Sequence, residues 1–212
     1  MALQWTALEF SYPGSGPVLA GWQWQAEPGL VQLVDGYSVG KTTALQLLAG
    51  QLAARGGSVL VDGQTPAQLQ AAHALFWHEP RRPNTMPPET TTLAQWTDAL
   101  RAHFPHWDDA ALAELQQGFD LAPHWHKPLL ALSTGSLRKA VMALGLASGA
   151  QLVLLDEPLS GLDKPALAFV PQALQQAAQR FAQSGRYLVV AHYEPLLDAD
   201  ADAAVQVRVL PC

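Results

Sequence analysis

Two short apolar runs, Leu30-Val31-Gln32-Leu33-Val34 and Leu152-Val153-Leu154-Leu155, each end at a loop dense in polar chemistry, and few folds accommodate both. Continuous apolar runs of this length suit strands buried on both faces of a parallel sheet. The first run follows Glu27-Pro28-Gly29 and passes through Asp35-Gly36-Tyr37-Ser38-Val39 into Gly40-Lys41-Thr42-Thr43-Ala44-Leu45-Gln46-Leu47-Leu48. That order reads as strand, small-residue loop, helix. Gly40-Lys41-Thr42-Thr43 is the latter half of a phosphate-binding loop, in which backbone N–H groups at a helix N-terminus face phosphates, Lys41 reaches the outer ones as a point charge and Thr42 can ligate Mg2+. The motif normally has a glycine five residues before Gly40, where this chain has Asp35. A surface turn before a helix is the plainer reading of the same string.

The second run ends in Asp156-Glu157. Ligands of open α/β sheets bind at the C-terminal ends of the strands, so both acids stand where a bound phosphate and its metal would be. Asp156 suits Mg2+ held through water, and Glu157 suits a carboxylate that orients or activates an attacking water. Two solvated acids at a strand end remain the alternative.

Around these runs the chain is organised in alternating textures. Residues 3 to 12 and 18 to 25 read as paired strands about Pro13-Gly14-Ser15-Gly16-Pro17, and Ser58-Val59-Leu60-Val61-Asp62-Gly63 and Ala74-Leu75-Phe76-Trp77 as further strands. Pro80, Pro83, Pro87 and Pro88 block regular structure, after which residues 91 to 148 have helical periodicity broken near Pro105 and Pro123. A helix over residues 165 to 183 and a strand at 187 to 191 close the pattern, with no internal repeat. The expectation is one α/β domain spanning 1–212, with an inserted helical subdomain over about residues 85 to 148.

Composition narrows the function classes. A hydrophobic share of 49% against 14% charged residues argues for a packed core rather than disorder, while no apolar run approaches the roughly 20 residues of a membrane-spanning helix. The N-terminus has no basic segment followed by an apolar one, so a cytoplasmic location is expected. The lone Cys212 excludes an intrachain disulfide or a cysteine metal site, and a net charge of -6 without a Lys/Arg cluster argues against nucleic acid as the main partner.

Three further strings complete a pattern: Leu132-Ser133-Thr134-Gly135-Ser136, then Leu154-Leu155-Asp156-Glu157-Pro158-Leu159-Ser160-Gly161-Leu162-Asp163, then His192 after a strand. In order and spacing, over nearly the whole chain, the sequence resembles the ATP-binding cassette (ABC) family. The resemblance implies a P-loop NTPase fold of the ABC nucleotide-binding type with an antiparallel β subdomain and a helical subdomain. It implies ATP and Mg2+ as ligands, with Asp35 through Thr43 cradling the phosphates and Tyr12, in Phe10-Ser11-Tyr12-Pro13-Gly14, stacking on adenine. It makes Ser133 and Gly135 part of a signature loop that caps the γ-phosphate of ATP bound to a partner cassette, so that two cassettes dimerise head to tail. Asp163 becomes the acid linking the two sites across the dimer, and His192 the histidine that contacts the γ-phosphate and attacking water. The implied activity is ATP hydrolysis that drives an ABC transporter through separate membrane subunits, with the cassette held at the inner face of the membrane by them. A non-transport cassette, or a degenerate half of a heterodimer that binds ATP as a regulatory module, is the alternative.

The departures from the family pattern are Asp35, the Thr134 and Ser136 of the signature, and His78 where a glutamine is usual; Ser38 and Val39 also add side chains to the phosphate loop. His78 can still reach Mg2+-bound water or the γ-phosphate, with a contact that depends on pH near neutrality, or else it is an exposed loop histidine. His103, His106, His124 and His126 have spacings like metal ligands, but Pro105, Trp107 and Trp125 among them point to packing at helix ends. A carboxylate beside a polyphosphate is repelled unless it is paired or turned away. Asp35→Gly is therefore expected to tighten ATP binding in a nucleotide titration; unchanged or weaker affinity contradicts this account of the loop.

Overall fold

The computed structural model describes residues 2–34, 40–79 and 83–210. Strands β1 (Leu3–Phe10) and β2 (Leu19–Ala26) form the expected antiparallel hairpin. On its other edge β1 pairs antiparallel with β4 (Gly56–Val61), giving a three-stranded sheet ordered β2-β1-β4. Alternation of buried and exposed residues along β1 and β2 marks a sheet with one covered face. On that sheet Trp5 stacks on Trp24 with ring centroids 5.3 Å apart and meets Trp22 edge-on at 4.7 Å.

The main sheet has the order β5-β6-β7-β3-β8, formed by β3 (Gly29–Val34), β5 (Leu75–Trp77), β6 (Leu152–Asp156), β7 (Tyr187–His192) and β8 (Val205–Val209). Every neighbouring pair in it is parallel. Because side chains alternate across a sheet, one set of strand residues packs to each side. Val31, Leu33, Leu152, Leu154, Val189 and Ala191 join the core shared with α1 (Lys41–Leu48) and the antiparallel sheet. Leu30, Val153, Leu155, Leu188 and Val190 join the core on the opposite side, with the remaining long helices.

Those helices are α3 (Leu93–His103), α4 (Asp109–Gly118) and α5 (Thr134–Ala147), all between β5 and β6 in the chain, and α6 (Lys164–Gln183) after β6. Local chemistry sets their starts. Thr92 and Gln95 form a capping box at α3, Asp108 accepts from the Ala111 N–H at α4, and Asp163 accepts from the Ala166 N–H at α6. Pro105 follows the end of α3, and Pro123 lies in the 3-10 turn Ala122–His124, as the breaks in periodicity require.

Two elements have no counterpart among the sequence expectations. The short helix α2 (Pro66–Ala71) buries only Leu69, too little for apolar periodicity to reveal, although Thr65, Pro66 and Gln68 make a complete capping signal. The edge strand β8 alternates Val205, Val207 and Val209 with Gln206 and Arg208, and so lacks the continuous apolar run of its neighbours.

Parallel register carries the consequence for function. Val34 at the end of β3 is opposite His192 at the end of β7, and Asp156 at the end of β6 is opposite Ala191. The polar residues that follow these strands therefore emerge along one edge. The register starts from Gly29, whose φ is +132° and where an added Cβ would lie 2.4 Å from the Ala204 carbonyl oxygen. That oxygen also accepts from the Leu30 N–H, so it cannot retreat cheaply. Gly29→Ala is expected to destabilise the fold by roughly 2 kcal/mol or more, read from urea unfolding; a cost of a few tenths contradicts the close approach.

Candidate active site

The site is assembled at that edge from the ends of β3, β6 and β7. Gly40, with φ 95°, turns the chain into α1 as its N-cap and, having no side chain, makes no side-chain cap to the first turn. Asp35, Gly36, Tyr37, Ser38 and Val39 lie outside the described residues. Lys41 is only 3% exposed, and its Nζ is 3.8 Å from Glu157 Oε1. The Thr42 hydroxyl donates to Asp156 Oδ2 at 2.7 Å, which brings α1 and β6 together through two oxygens.

Glu157 follows β6 with a left-handed φ of 46°. Its N–H donates to the Ala191 carbonyl at 2.9 Å, and its own carbonyl accepts from Arg138 Nη1 at 2.7 Å. On its other side, His192 Nε2 lies 3.7 Å from Glu157 Oε2. His192 Nδ1 is 3.1 Å from the Glu194 carbonyl oxygen and 3.5 Å from the Glu194 N–H, which hold the ring so that Nε2 is the nitrogen turned to Glu157. Thus the structure brings Lys41, Thr42, Asp156, Glu157 and His192 into one cluster. Thr43 and Tyr12 border it. The Tyr12 hydroxyl is 3.0 Å from Thr43 Oγ1 and 3.5 Å from Gln46 Oε1, tying the hairpin loop to the first turns of α1 while the ring stays 39% exposed.

Ser133, Gly135 and Asp163 form a second cluster, at the starts of α5 and α6. Ser133 caps α5 by accepting from the Ser136 N–H at 3.1 Å, and the two hydroxyls are 3.0 Å apart. A Cβ at Gly135 would sit 2.3 Å from the Gly161 carbonyl oxygen, so only glycine fits there. Asp163 is engaged within the chain: it caps α6, and Lys139 Nζ donates to its Oδ2 at 2.5 Å. That lysine holds the Asp163 carboxyl below its ordinary range.

Arg138 and Lys139 between them contact both clusters and were missed by the sequence, where they are only an isolated basic pair. Both are buried, at 5% and 8% exposure. The available signal was their position at the head of the run Ala140-Val141-Met142-Ala143-Leu144, which leaves α5 no polar face to carry them.

His78 requires a correction. It is not an exposed loop histidine, and it does not titrate near neutrality. Its Nδ1 is hydrogen-bonded to the Thr85 carbonyl, and its ring meets Phe76 and Trp96 edge-on at 4.8 and 5.2 Å. Burial lowers its pKa to about 4, against a smaller opposing effect of the Thr85 bond and with a minor contribution from His103. The metal-like histidine spacings also resolve into other partners: His103 Nε2 is 2.9 Å from His73 Nδ1, and His124 contacts Ser136 and Lys127.

Among the described residues no group of three or more His, Cys, Asp or Glu side chains can hold a metal. Mg2+ needs none: it takes one or two hard protein oxygens and completes its shell with phosphate and water. The adjacent oxygens of Thr42 and Asp156 fit that requirement.

Residues 23–160 match the family model described as ABC transporter. The phosphonates import ATP-binding protein PhnC 2 of Albidiferax ferrireducens is 33% identical over 184 residues, which cover 79% of this chain and 66% of that protein. The cytochrome c biogenesis ATP-binding export protein CcmA of Novosphingobium aromaticivorans is 32% identical over 167 residues, covering 79% of this chain and 75% of that protein. The chain therefore spans about two thirds of the first relative's length and three quarters of the second's. In fold, it matches a solved structure described as an ABC transporter ATP-binding protein from Pyrococcus furiosus, with a TM-score of 0.75 at 17% identity over 99% of this chain and 98% of that one.

The buried imidazole of His78 makes stability depend on acid. An unfolded chain takes up the His78 proton near the ordinary value of 6.5, the native state only near 4, so stability present above pH 6.5 is lost as pH falls through that window. His78→Gln is expected to remove roughly 2 kcal/mol of the loss between pH 7 and pH 5, visible as a smaller drop in Tm. An identical drop in both proteins contradicts the burial of this imidazole.

Proposed function

The chain belongs to the ABC transporter family, whose ATP-binding members hydrolyse ATP, and we propose that it is the ATP-hydrolysing subunit of a transporter whose membrane-spanning parts are other polypeptides. The observation that carries the reading is the convergence of Lys41, Thr42, Asp156, Glu157 and His192 at the C-terminal edge of a parallel sheet. No helix among the described residues is long and apolar enough to cross a membrane. The relatives' descriptions as import and export ATP-binding proteins support a role in transport.

In this reading the N–H groups after Gly40 and the Lys41 ammonium bind the outer phosphates of ATP, with the loop from Asp35 to Val39 completing the cradle and Thr43 closing it beside Tyr12. Thr42 and Asp156 would hold Mg2+, which would supply positive charge to the phosphate oxygens. Glu157 orients the attacking water and accepts its proton. For this it must release Lys41, which the incoming phosphate accomplishes by offering the ammonium a stronger anion. His192, fixed by Glu194, presents Nε2 to the same water and to the γ-phosphate. Tyr12 offers its exposed ring face to adenine, and His78, neutral at physiological pH, offers hydrogen-bonding capacity without charge.

Ser133 and Gly135 cap the ATP of a second cassette in a head-to-tail dimer, and Asp163 sits at that junction with its carboxylate pre-set by Lys139. A cassette that binds ATP without turning it over is favoured by Asp35, Thr134 and Ser136, but the intact grouping of Glu157 with His192 weighs against it. Glu157→Gln is expected to lower kcat by at least about a hundredfold while ATP still binds, and Lys41→Ala to weaken ATP binding at least about tenfold. Turnover that survives Glu157→Gln overturns the catalytic assignment; binding without turnover in the unaltered chain supports the second reading.

A further inference from the structure

Glu157 is held by its backbone as firmly as by its side chain. A φ of 46° lies in the left-handed region, which a residue with a Cβ keeps only when its surroundings over-determine it. Three contacts do so. The Glu157 N–H is bound by the Ala191 carbonyl on β7 at 2.9 Å, and the Glu157 carbonyl accepts from the Ser160 N–H at 3.2 Å and from Arg138 Nη1 at 2.7 Å. The arginine bond is the shortest and the only charge-assisted one of the three. The same nitrogen reaches the Asp156 carbonyl at 3.3 Å, so one guanidinium spans the two peptide units that aim Asp156 and Glu157. Arg138 is 5% exposed and borders a small cavity with His78, Glu79 and Asp156. It reaches the carbonyls of these acids from α5, the helix that Ser133 caps.

We propose that Arg138 is a positioning residue for hydrolysis: by gripping the Glu157 and Asp156 carbonyls it holds the left-handed turn that places the Glu157 carboxylate opposite the attacking water. The proposal rests on Glu157 being the catalytic carboxylate. Since Arg138 acts on the peptide and not on nucleotide, its loss lowers kcat without weakening ATP binding.

The test measures kcat, KM, affinity for a non-hydrolysed ATP analogue and Tm for the unaltered chain, Arg138→Gln, Arg138→Lys, Glu157→Gln and the Arg138→Gln/Glu157→Gln double variant. Arg138→Gln is expected to lower kcat roughly 10- to 100-fold with KM and analogue affinity within about twofold, the scale of a carboxylate displaced by a fraction of an ångström to an ångström. Arg138→Lys, whose ammonium can still donate to one carbonyl, recovers part of that loss. The double variant turns over no more slowly than Glu157→Gln alone, because the arginine acts through the carboxylate. A kcat within about twofold of the unaltered chain, or a fall in analogue affinity that accounts for the whole effect, overturns the proposal. If Arg138→Gln does not fold, Arg138→Lys decides: lowered kcat with retained Tm and affinity supports positioning, and unchanged kcat overturns it. Full turnover in Glu157→Gln is a different failure, that of the catalytic reading itself, and the role of Arg138 falls with it.

Discussion

A lysine ammonium that is 3% exposed needs an anion, and in this chain the Glu157 carboxylate is one it has at 3.8 Å. The rest of the site is arranged around that pairing. Lys41 opens α1, so its head is fixed by the strand–loop–helix turn; Glu157 follows β6 and also faces His192 on β7. Without nucleotide the two charges compensate each other, which makes the burial of the ammonium tolerable. In the proposed reading it also sets up an exchange, in which a polyphosphate takes over the lysine and frees the carboxylate for water.

The fold makes the pairing possible through parallel register. Val34, Asp156 and His192 end three adjacent strands, and the apolar runs that bury those strands leave their polar chemistry, apart from Gln32 within β3, at the ends. The second cluster, Ser133, Gly135 and Asp163, sits at two helix starts instead. Its parts are held together by the close approach of Gly135 to Gly161 and by the Lys139–Asp163 pair. Helix α5 belongs to both clusters, since Ser133 caps it and its Arg138 binds the peptide carbonyl of Glu157. A shift at one cluster therefore has a direct covalent and hydrogen-bonded route to the other.

Much of this was legible in the sequence because buried parallel strands and capped helices have local signatures. Leu30–Val34, Leu152–Asp156 and Tyr187 onward read as strands; Asp156 and Glu157 follow from their place at a strand end, Lys41 and Thr42 from the string that opens the helix after β3, and His192 from the family resemblance alone. What was hidden depends on packing between distant segments. His78 reads as a loop residue until Trp96 from α3 and the Thr85 carbonyl close over it. Arg138 and Lys139 read only as an isolated basic pair, because nothing local announces that their partners are a carbonyl after β6 and a carboxylate before α6. Asp163, expected to face a partner cassette, has a carboxylate already committed to Lys139 and to capping α6, a pairing that no spacing rule contains. The edge strand β8 is half polar, and α2 has a single buried residue, so neither offers the periodicity on which such readings rest.

The central claim, that Glu157 and the outer phosphates compete for Lys41, is tested most directly by isothermal titration of a non-hydrolysable ATP analogue into the unaltered chain and into Glu157→Gln. Removing the carboxylate charge removes one competitor for the Lys41 ammonium, so the account predicts tighter binding by the variant, by roughly three- to tenfold for the release of a partly solvated ion pair. Equal or weaker binding contradicts it.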